Sequence, residues 1–333
     1  MKRGALVAGT AASLIAGSAL AAPSAFAAGP LANGFTAKVV AHSGQTIHGA
    51  IDATGFDLGV YIGPGVHDVK VLGARVTGAN DQGILVQDAH DILIRNSTVE
   101  NNSMHRGAGL EELKAITIAG SRRVVAVGNT VEGNGDGGIG IYDDGPNSPH
   151  TIAPVAIDRN GVPGMDNVVS GNEIADNLNG CGIVVSGKNP GGGVRDNLVS
   201  YNTIRGFDPA AGDTTPGVGG IVVAGGEFGA VDVVHTVVFH NAVTGGFIPG
   251  ISLHASAPAS LAGTWLVDNT LTRNGGTPNS RGVEIAGAPG TIAGTQVLDD
   301  RVIGDYFGVF HVGDTGTRIA NLQTSGVTQR VGP

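Results

Sequence analysis

Cysteine is almost absent from this chain of 333 residues, since Cys181 is the only one. No disulfide can therefore form within one molecule, and packing alone must stabilise the fold. Cys181 stands between Gly180 and Gly182, directly before an apolar stretch, and no histidine lies near it in the sequence. We interpret it as a small buried or turn residue rather than as a nucleophile. Aromatic residues are also scarce, at 4%, whereas the 57 glycines suit a fold with many tight turns.

The chain also lacks an excess of positive charge and has only one long apolar run. The net charge is −9, which argues against nucleic acid or an anionic membrane surface as a partner. The run Ala5–Ala22 follows Lys2 and Arg3 and precedes Ala25–Ala27, which matches a small-x-small cleavage site. We expect a secretory signal peptide over residues 1–27 and one secreted, extracellular domain over residues 28–333, with no membrane attachment after cleavage. The alternative is an N-terminal membrane anchor, but the run is rich in Ala, Gly and Ser and only modestly hydrophobic.

What organises the sequence is a repeat, seen most clearly in Gly83–Asn102. Three short alternations of apolar and polar residues in this stretch predict half-buried strands separated by turns. Three such strands cannot bury a face alone, so the unit must stack on copies of itself. The copies carry the pattern aliphatic-x-x-Asn-x-aliphatic, with the asparagine at Asn129, Asn172, Asn202, Asn241 and Asn269, and with Ala74, Ser97 and Asp300 in degenerate copies. Their spacing of 23 to 43 residues predicts a solenoid with loops of variable length.

The recurring asparagine has a structural explanation. Asparagine tolerates the left-handed backbone conformation and can bond to its own backbone in a turn. When such residues stack at one corner of a coil, each side chain can also bond to the asparagine above and below it. We therefore predict a structural ladder of asparagines that has no role in binding ligands.

A second marker, Gly-Ile-x-Val or a close variant, precedes most copies of the asparagine motif. Together the two motifs resemble the repeat of the right-handed parallel β-helix proteins in the pectate-lyase-like superfamily, over nearly the whole chain after the signal segment. The resemblance implies an all-β fold, a single-stranded right-handed parallel β-helix (solenoid) of about nine to ten coils, in agreement with the handedness rule for parallel crossovers. It also implies a groove along the outer face of one sheet, walled by loops; the longest connections here are residues 148–167, 187–193 and 207–217.

The alternation within the Gly-Ile-x-Val strands predicts which side chains line that outer face. Adjacent coils are about 4.8 Å apart. Glu284 should therefore lie directly beside Ser252 and diagonal to His254. Tyr142 should lie three coils away from His254, at about 14 Å.

Asp143 and Asp144 form the most notable acidic pair, in the sequence Tyr-Asp-Asp-Gly. One interpretation is a Ca²⁺ site, because calcium requires several oxygen ligands including carboxylates. Another is a pair of carboxylates acting on a glycan. The competing interpretation is an ordinary solvated Asp-Asp-Gly turn.

His254 and Glu284 form a second candidate site, because a histidine near a carboxylate can act as a general base. The alternative is that both are ordinary polar surface residues. Tyr142, Lys188 and Arg281 are candidates for contacting a sugar, and the two cations suit an acidic one.

The sequence leaves two functions open, because proteins that share this fold can have different activities. It has no clean match to the polygalacturonase motif set and no Asp-Pro-His tripeptide like that of the alginate epimerases. The first hypothesis is a carbohydrate-active β-helix, a lyase or hydrolase of polysaccharide, with Ca²⁺ as the expected cofactor. The second is a non-catalytic β-helix that binds a glycan or a cell-surface partner. We expect a monomer in either case.

Overall fold

The computed structural model describes residues 29–31, 34–104, 114–145, 161–178, 180–206, 219–226, 230–246, 249–273 and 280–333. The expected signal peptide and much of the expected loops at 148–167 and 207–217 lie outside these ranges. In the described ranges the regular structure consists of β-strands in two sheets that run the length of the molecule. The described residues contain no helix long and apolar enough to cross a membrane.

One sheet, called here the long sheet, is formed by one strand from each coil. Its twelve strands in the described ranges are Gly29–Pro30, Thr36–Val40, Leu58–Ile62, Gln82–Gln87, Lys114–Ala119, Gly137–Tyr142, Ile183–Gly187, Ile221–Gly225, Ile251–Ala255, Arg281–Gly287, Phe307–Val312 and Gln329–Gly332. The first strand pairs antiparallel with the second, and the other pairings are parallel. Eleven parallel strands in the described part of the chain define ten turns of a β-helix, as the sequence predicted.

The other sheet carries the remaining sides of each coil in shorter strands. Its strands are Thr46–Asp52, Lys70–Thr77, His90–Arg95, Thr98–Glu100, Arg122–Val127, Thr130–Glu132, Gly164–Met165, Val168–Ser170, Glu173–Ala175, Val194–Arg195, Leu198–Ser200, Thr203–Arg205, Asp232–Val234, Val237–Phe239, Ala242–Thr244, Ser260–Ala262, Trp265–Val267, Thr270–Thr272, Ile292–Ala293, Gln296–Leu298, Arg301–Ile303, Asp314–Thr315, Arg318–Ala320 and Gln323–Ser325. We call this the folded sheet, because sharp corners divide it along its length.

The core is a column of aliphatic side chains that point into the coils. In the coil that begins at Ile183, the inward residues are Ile183 and Val185 from the long sheet, followed by Val199 and Ile204 from the folded sheet. All four are fully buried, and they continue a single apolar cluster that extends from Val39 to Leu322. Burying a side chain of this size contributes about 1.5–3 kcal/mol, which explains how the fold is stable without cross-links.

One corner of the folded sheet is built from residues in the left-handed region. Their positive φ angles turn the chain sharply between two short strands; the residues are Gly73, Asn96, Gly128, Gly171, Tyr201, His240, Asp268, Asp299 and Asn321. Glycine, asparagine and aspartate adopt this conformation at little cost, which explains why they recur at this position.

The residue after each of the first eight corner positions points inward and forms the predicted asparagine ladder, whereas Leu322 follows Asn321. The ladder consists of Ala74, Ser97, Asn129, Asn172, Asn202, Asn241, Asn269 and Asp300. Asn202 shows the pattern, because its Nδ2 donates to Asn241 Oδ1 and to the carbonyl of Val169, both at 2.9 Å. Its backbone N–H also donates to Asn241 Oδ1, at 3.0 Å. The ladder thus satisfies buried backbone groups at the corner, and the prediction of a structural role is confirmed. The predicted left-handed conformation of these asparagines is wrong, because the positive φ falls on the residue before each of them.

Candidate functional site

The outward side chains of the long sheet form two columns, because each parallel strand pairs in register with the next. The first column contains Leu85, Thr117, Gly140, Val184, Val222, Ser252, Glu284 and Phe310. The second contains Gln87, Ala119, Tyr142, Ser186, Ala224, His254, Ala286 and Val312. The predicted register is confirmed: Ser252 pairs with Glu284, and three coil steps separate Tyr142 from His254.

Polar groups concentrate in these columns around Arg281, at the first residue of its strand. Arg281 Nη1 forms an ion pair with Glu284 Oε1, and the Arg281 guanidinium carbon lies 3.8 Å from the centroid of the Phe310 ring. The Glu284 side chain is only 10% exposed and that of Arg281 26%. Burial lowers the pKa of Arg281, although a guanidinium with a carboxylate partner stays charged. We call Ser252, His254, Arg281, Glu284 and Phe310 the Arg281 cluster.

Three atoms of the Arg281 cluster are buried without a hydrogen-bond partner: Ser252 Oγ, His254 Nδ1 and Arg281 Nε. Other buried atoms of the described residues also have no partner, among them the hydroxyls of Thr236, Thr264 and Thr295. What marks this cluster is that its three atoms belong to a histidine, a guanidinium and a hydroxyl. A bound polar molecule would supply the missing partners. The His254 Nε2 lies 3.2 Å from Ser256 Oγ. If Nε2 donates its proton to Ser256, Nδ1 carries a lone pair and can act as a base.

Asp143 lies in a different environment, three coils before the Arg281 cluster. Its carboxylate accepts hydrogen bonds from the backbone N–H groups of Lys188 (2.9 Å), Asn189 (2.8 Å) and Gly193 (2.7 Å), and from Asn189 Nδ2 (3.1 Å). Burial raises the pKa of Asp143, while these four donors act in the opposite direction. Asp143 therefore anchors the turn that contains Lys188, whose Nζ lies 5.8 Å from the centroid of the Tyr142 ring.

Asp144 belongs to a buried polar network on the outer face. Its Oδ2 accepts from Gln87 Nε2 at 2.7 Å, and Gln87 Oε1 accepts from the Tyr61 hydroxyl at 3.1 Å. The backbone of Asp144 also pairs with Val162 in both directions, at 2.8 and 2.6 Å. Next to this network, both carboxylate oxygens of Asp88 are buried and have no partner. Burial, with a smaller contribution from the Asp144 charge, raises the pKa of Asp88 to about 7.

These positions correct one interpretation of the acidic pair and weaken another. A solvated Asp-Asp-Gly turn is wrong, because Asp143 and Asp144 are both fully buried. The groups around Asp143 do not fit Ca²⁺ either, since a calcium ion requires oxygen ligands and here four N–H groups point at the carboxylate. Across the described ranges, no three His, Cys, Asp or Glu side chains are placed to hold a metal ion together.

The structure thus divides the candidate residues into two groups. His254, Glu284 and Arg281 lie on two adjacent strands of the long sheet. Tyr142, Asp143 and Asp144 lie three coils before His254, and Lys188 lies two coils before it. Sequence reasoning missed Phe310 and Asp88. A signal for Phe310 was present, because it follows Glu284 at the same strand position in the next coil, whereas nothing in the sequence distinguishes Asp88 from an ordinary turn residue.

Comparison with known proteins agrees with this architecture. The sequence profile of the family described as "Right handed beta helix region" matches residues 58–227. No curated protein matches the chain by sequence. Among solved structures, PfbA, a surface adhesin of Streptococcus pneumoniae, has a TM-score of 0.56 and 11% identity, over 89% of this chain and 84% of that chain. The mannuronan C-5 epimerase AlgE4 A-module of Azotobacter vinelandii has a TM-score of 0.51 and 12% identity, over 92% of this chain and 86% of that chain.

Identities this low show a shared fold and nothing about activity. The family match covers more than half of the chain and agrees with the parallel coils, the buried aliphatic column and the asparagine ladder. The chain therefore belongs to the right-handed β-helix family.

Proposed function

We propose that the protein is a secreted enzyme that cleaves a uronate-containing polysaccharide by β-elimination, with the Arg281 cluster as its active site. The observation that carries this proposal is the set of three buried atoms without partners: a histidine nitrogen, a guanidinium N–H and a hydroxyl. Elimination next to a sugar carboxylate requires a base, a cation for the carboxylate and a donor near the departing oxygen. The three atoms match these requirements one for one.

The reaction can be written for these residues. Arg281 Nε–H bonds to the sugar carboxylate, which makes the proton on the adjacent carbon more acidic. His254 Nδ1 takes that proton, and the electron pair left behind forms the new carbon–carbon double bond. The glycosidic carbon–oxygen bond breaks, and the departing oxygen accepts a hydrogen bond from Ser252 Oγ and a proton from water. Glu284 acts as a positioning residue, because its ion pair with Arg281 fixes the guanidinium.

A single carboxylate in the cluster favours elimination over hydrolysis. Glycosidases require two carboxyl groups on opposite sides of the scissile bond. Glu284 is the only carboxylate of the Arg281 cluster, and Asp143 and Asp144 are engaged elsewhere. The small side chains of Ser186 and Ala224 lie in the column between Tyr142 and His254, which are about 14 Å apart.

The wider context supports a glycan outside the cell. The N-terminal segment over residues 1–27 has the features of a secretory signal. One structural neighbour is named for acting on mannuronan and another is named a surface adhesin, which gives precedents on this fold for polysaccharide and for a surface location. We keep the expectations of a monomer and of no nucleic-acid partner as part of the proposal.

The experiment is an ultraviolet absorbance assay for unsaturated uronate ends, on polygalacturonate, polymannuronate and polyguluronate, with added Ca²⁺ or with a chelator. We expect a rise in absorbance with at least one polymer. The rise should be lost in His254→Ala and in Arg281→Ala but kept in Gln323→Ala, which changes an exposed residue. A flat trace with every polymer would refute elimination. Ca²⁺-dependent activity would show that a metal takes part and that our assignment of residues is incomplete.

A second candidate is a non-catalytic glycan-binding role. It is favoured by the ion pair between Glu284 and Arg281, because a cation already neutralised by a partner can hold a sugar without activating it. This role predicts retention on a polyuronate matrix that Arg281→Ala abolishes, with neither unsaturated ends nor new reducing ends released.

A further inference from the structure

A flat surface of the folded sheet presents a group of aromatic side chains. In the three-residue strands Leu198–Ser200, Val237–Phe239 and Trp265–Val267, the central residue points into the core and the two flanking residues point outward. Val237 pairs with Trp265, and Phe239 occupies the other outward position of its strand. Phe239 and Trp265 are therefore diagonal neighbours, with Cα atoms about 8 Å apart.

Three rings on this surface contact one another, and its largest side chains are open to solvent. Tyr201 packs edge-on against Phe239, with centroids 5.3 Å apart, and its ring lies 4.9 Å from that of His240. Tyr201 is 55% exposed and Trp265 is 50% exposed. We call Tyr201, Phe239, His240 and Trp265 the aromatic surface. It lies on a different sheet from the Arg281 cluster.

The requirements of the fold do not explain two of these residues. Trp265 is the only tryptophan of the chain, yet half of it faces solvent, although tryptophan is usually highly buried. Tyr201 has φ of 55° at the corner where neighbouring coils use glycine, histidine or aspartate. A bulky residue in the left-handed region costs about 1–2 kcal/mol. Fold stability accounts for neither choice, and an aromatic binding surface accounts for both.

The size of the surface argues against a protein partner. Three-residue strands are about 10 Å long, and the four strands from Leu198 to Leu298 extend over about 14 Å, which gives roughly 140 Å². A stable protein interface buries about 800 Å² on each partner. A chain of sugar rings fits this strip, because each pyranose has an apolar face that can stack on an aromatic ring.

The rim of the surface indicates which sugars would bind. His240 Nδ1 lies 2.8 Å from Asp268 Oδ2, and His235 Nδ1 lies 3.2 Å from Asp196 Oδ1, so hydrogen-bonding groups surround the rings. These carboxylates would repel a polyuronate but would accept hydrogen bonds from neutral sugar hydroxyls.

We propose that the aromatic surface is a second carbohydrate-binding site, which takes a neutral polysaccharide chain by stacking sugar rings on Trp265 and Tyr201. The site is independent of the elimination proposed for the Arg281 cluster, and it would hold the protein to a neutral glycan while the other sheet acts on an acidic one.

The sole tryptophan makes the test direct, since all tryptophan emission comes from Trp265. The full chain after residue 27 is titrated with hexasaccharides of β-1,4-glucan, β-1,4-xylan and β-1,4-mannan while tryptophan emission is recorded. We expect a saturable change in emission with at least one of them. Tyr201→Asn removes a ring while keeping a residue that suits the corner, as Asn321 does in a later coil. This variant should bind at least about tenfold more weakly.

Controls separate this proposal from the others. Gln296→Ala, which changes the neighbour of Trp265 in the next coil, and Arg281→Ala should both leave the titration unchanged. The proposal is overturned if no hexasaccharide changes the emission, or if Tyr201→Asn binds as tightly as the unchanged protein. It is also overturned if sedimentation shows a dimer that Trp265→Ala dissociates, because the surface would then be a protein interface.

Discussion

Asp300 completes the asparagine ladder with a carboxyl group in place of a carboxamide. Asn269 donates to Asp300 Oδ1 from its backbone (2.6 Å) and from its side chain (3.0 Å), whereas Asp300 Oδ2 is buried without a partner. Burial raises the pKa of Asp300 from 3.8 to about 7, with smaller contributions from the charges of Asp268 and Asp299. The folded protein thus favours the protonated form of this group.

The consequence for stability has a definite sign. Because the folded pKa is above the unfolded one, the free energy of unfolding is unaffected by this group below pH 3.8 and falls as the pH rises towards about 7. Each pKa unit is worth 1.36 kcal/mol, so the loss above pH 7 is about 4 kcal/mol. Asp300→Asn removes the buried charge and restores the amide donor of the other rungs. We expect the variant to be more stable by about 3 kcal/mol at pH 8 and by less than about 1 kcal/mol at pH 4.

Thermal unfolding at both pH values measures this difference, since 1 kcal/mol shifts Tm by about 2–4 °C for a domain of some 200 residues and by no more for a longer one. We expect a rise of about 5 °C at pH 8 and little change at pH 4. Asp299→Asn is the matched control, because Asp299 is the exposed neighbour at the corner and asparagine suits its φ of 59°. An equal gain at both pH values, or no gain at pH 8, would refute the assignment of a buried charge at Asp300.

Three further changes test other parts of the structure. Asn202→Ala leaves buried donors and acceptors on both neighbouring coils unsatisfied, so we expect a loss of about 3–5 kcal/mol in chemical unfolding; a loss under 1 kcal/mol would contradict the ladder. Asp143→Asn replaces an acceptor for four donors, so limited proteolysis should cut the turn at 188–193 faster, and an unchanged rate would show that the turn does not depend on Asp143. Asp88→Asn should raise Tm above pH 7 and not at pH 4, because burial raises the pKa of Asp88 to about 7; a pH-independent effect would argue against that pKa.

The repeat architecture could be predicted from the sequence because its causes are local. The alternation in Gly83–Asn102 determines which side chains point inward. The ladder asparagines recur because their amides satisfy buried backbone groups next to each corner. The register followed from the same pattern: once Ser252 and Glu284 were assigned to corresponding strand positions, their pairing was determined.

The environments of the acidic residues could not be predicted, because they depend on distant parts of the chain. Asp143 is buried by contacts with residues 45 to 50 positions away, and Asp144 by Gln87, 57 positions away. Since coil lengths vary, the sequence does not indicate where such a turn folds back. The contact between Arg281 and Phe310 could not be predicted either, since a long side chain can reach across coils in several ways.

The Arg281 cluster shows how a regular scaffold carries polar side chains on its outer face. Val283 and Ile285 keep the inward pattern of the repeat, while Glu284 between them faces outward. Replacement of outward residues therefore costs the core little, and a polar cluster can form on adjacent coils without changing the fold. The three unsatisfied atoms are what distinguishes this cluster from an ordinary buried ion pair.

The measurement that tests the central claim most directly is side-chain NMR of the ten histidines during titration with trigalacturonate. If the Arg281 cluster binds the sugar carboxylate, the ring signals of His254 should shift and saturate, while those of the exposed His235 and the half-buried His67 stay unchanged. In Arg281→Ala the shift of His254 should disappear. A saturable response at other histidines with His254 unchanged would contradict the assignment of the Arg281 cluster as the polysaccharide site.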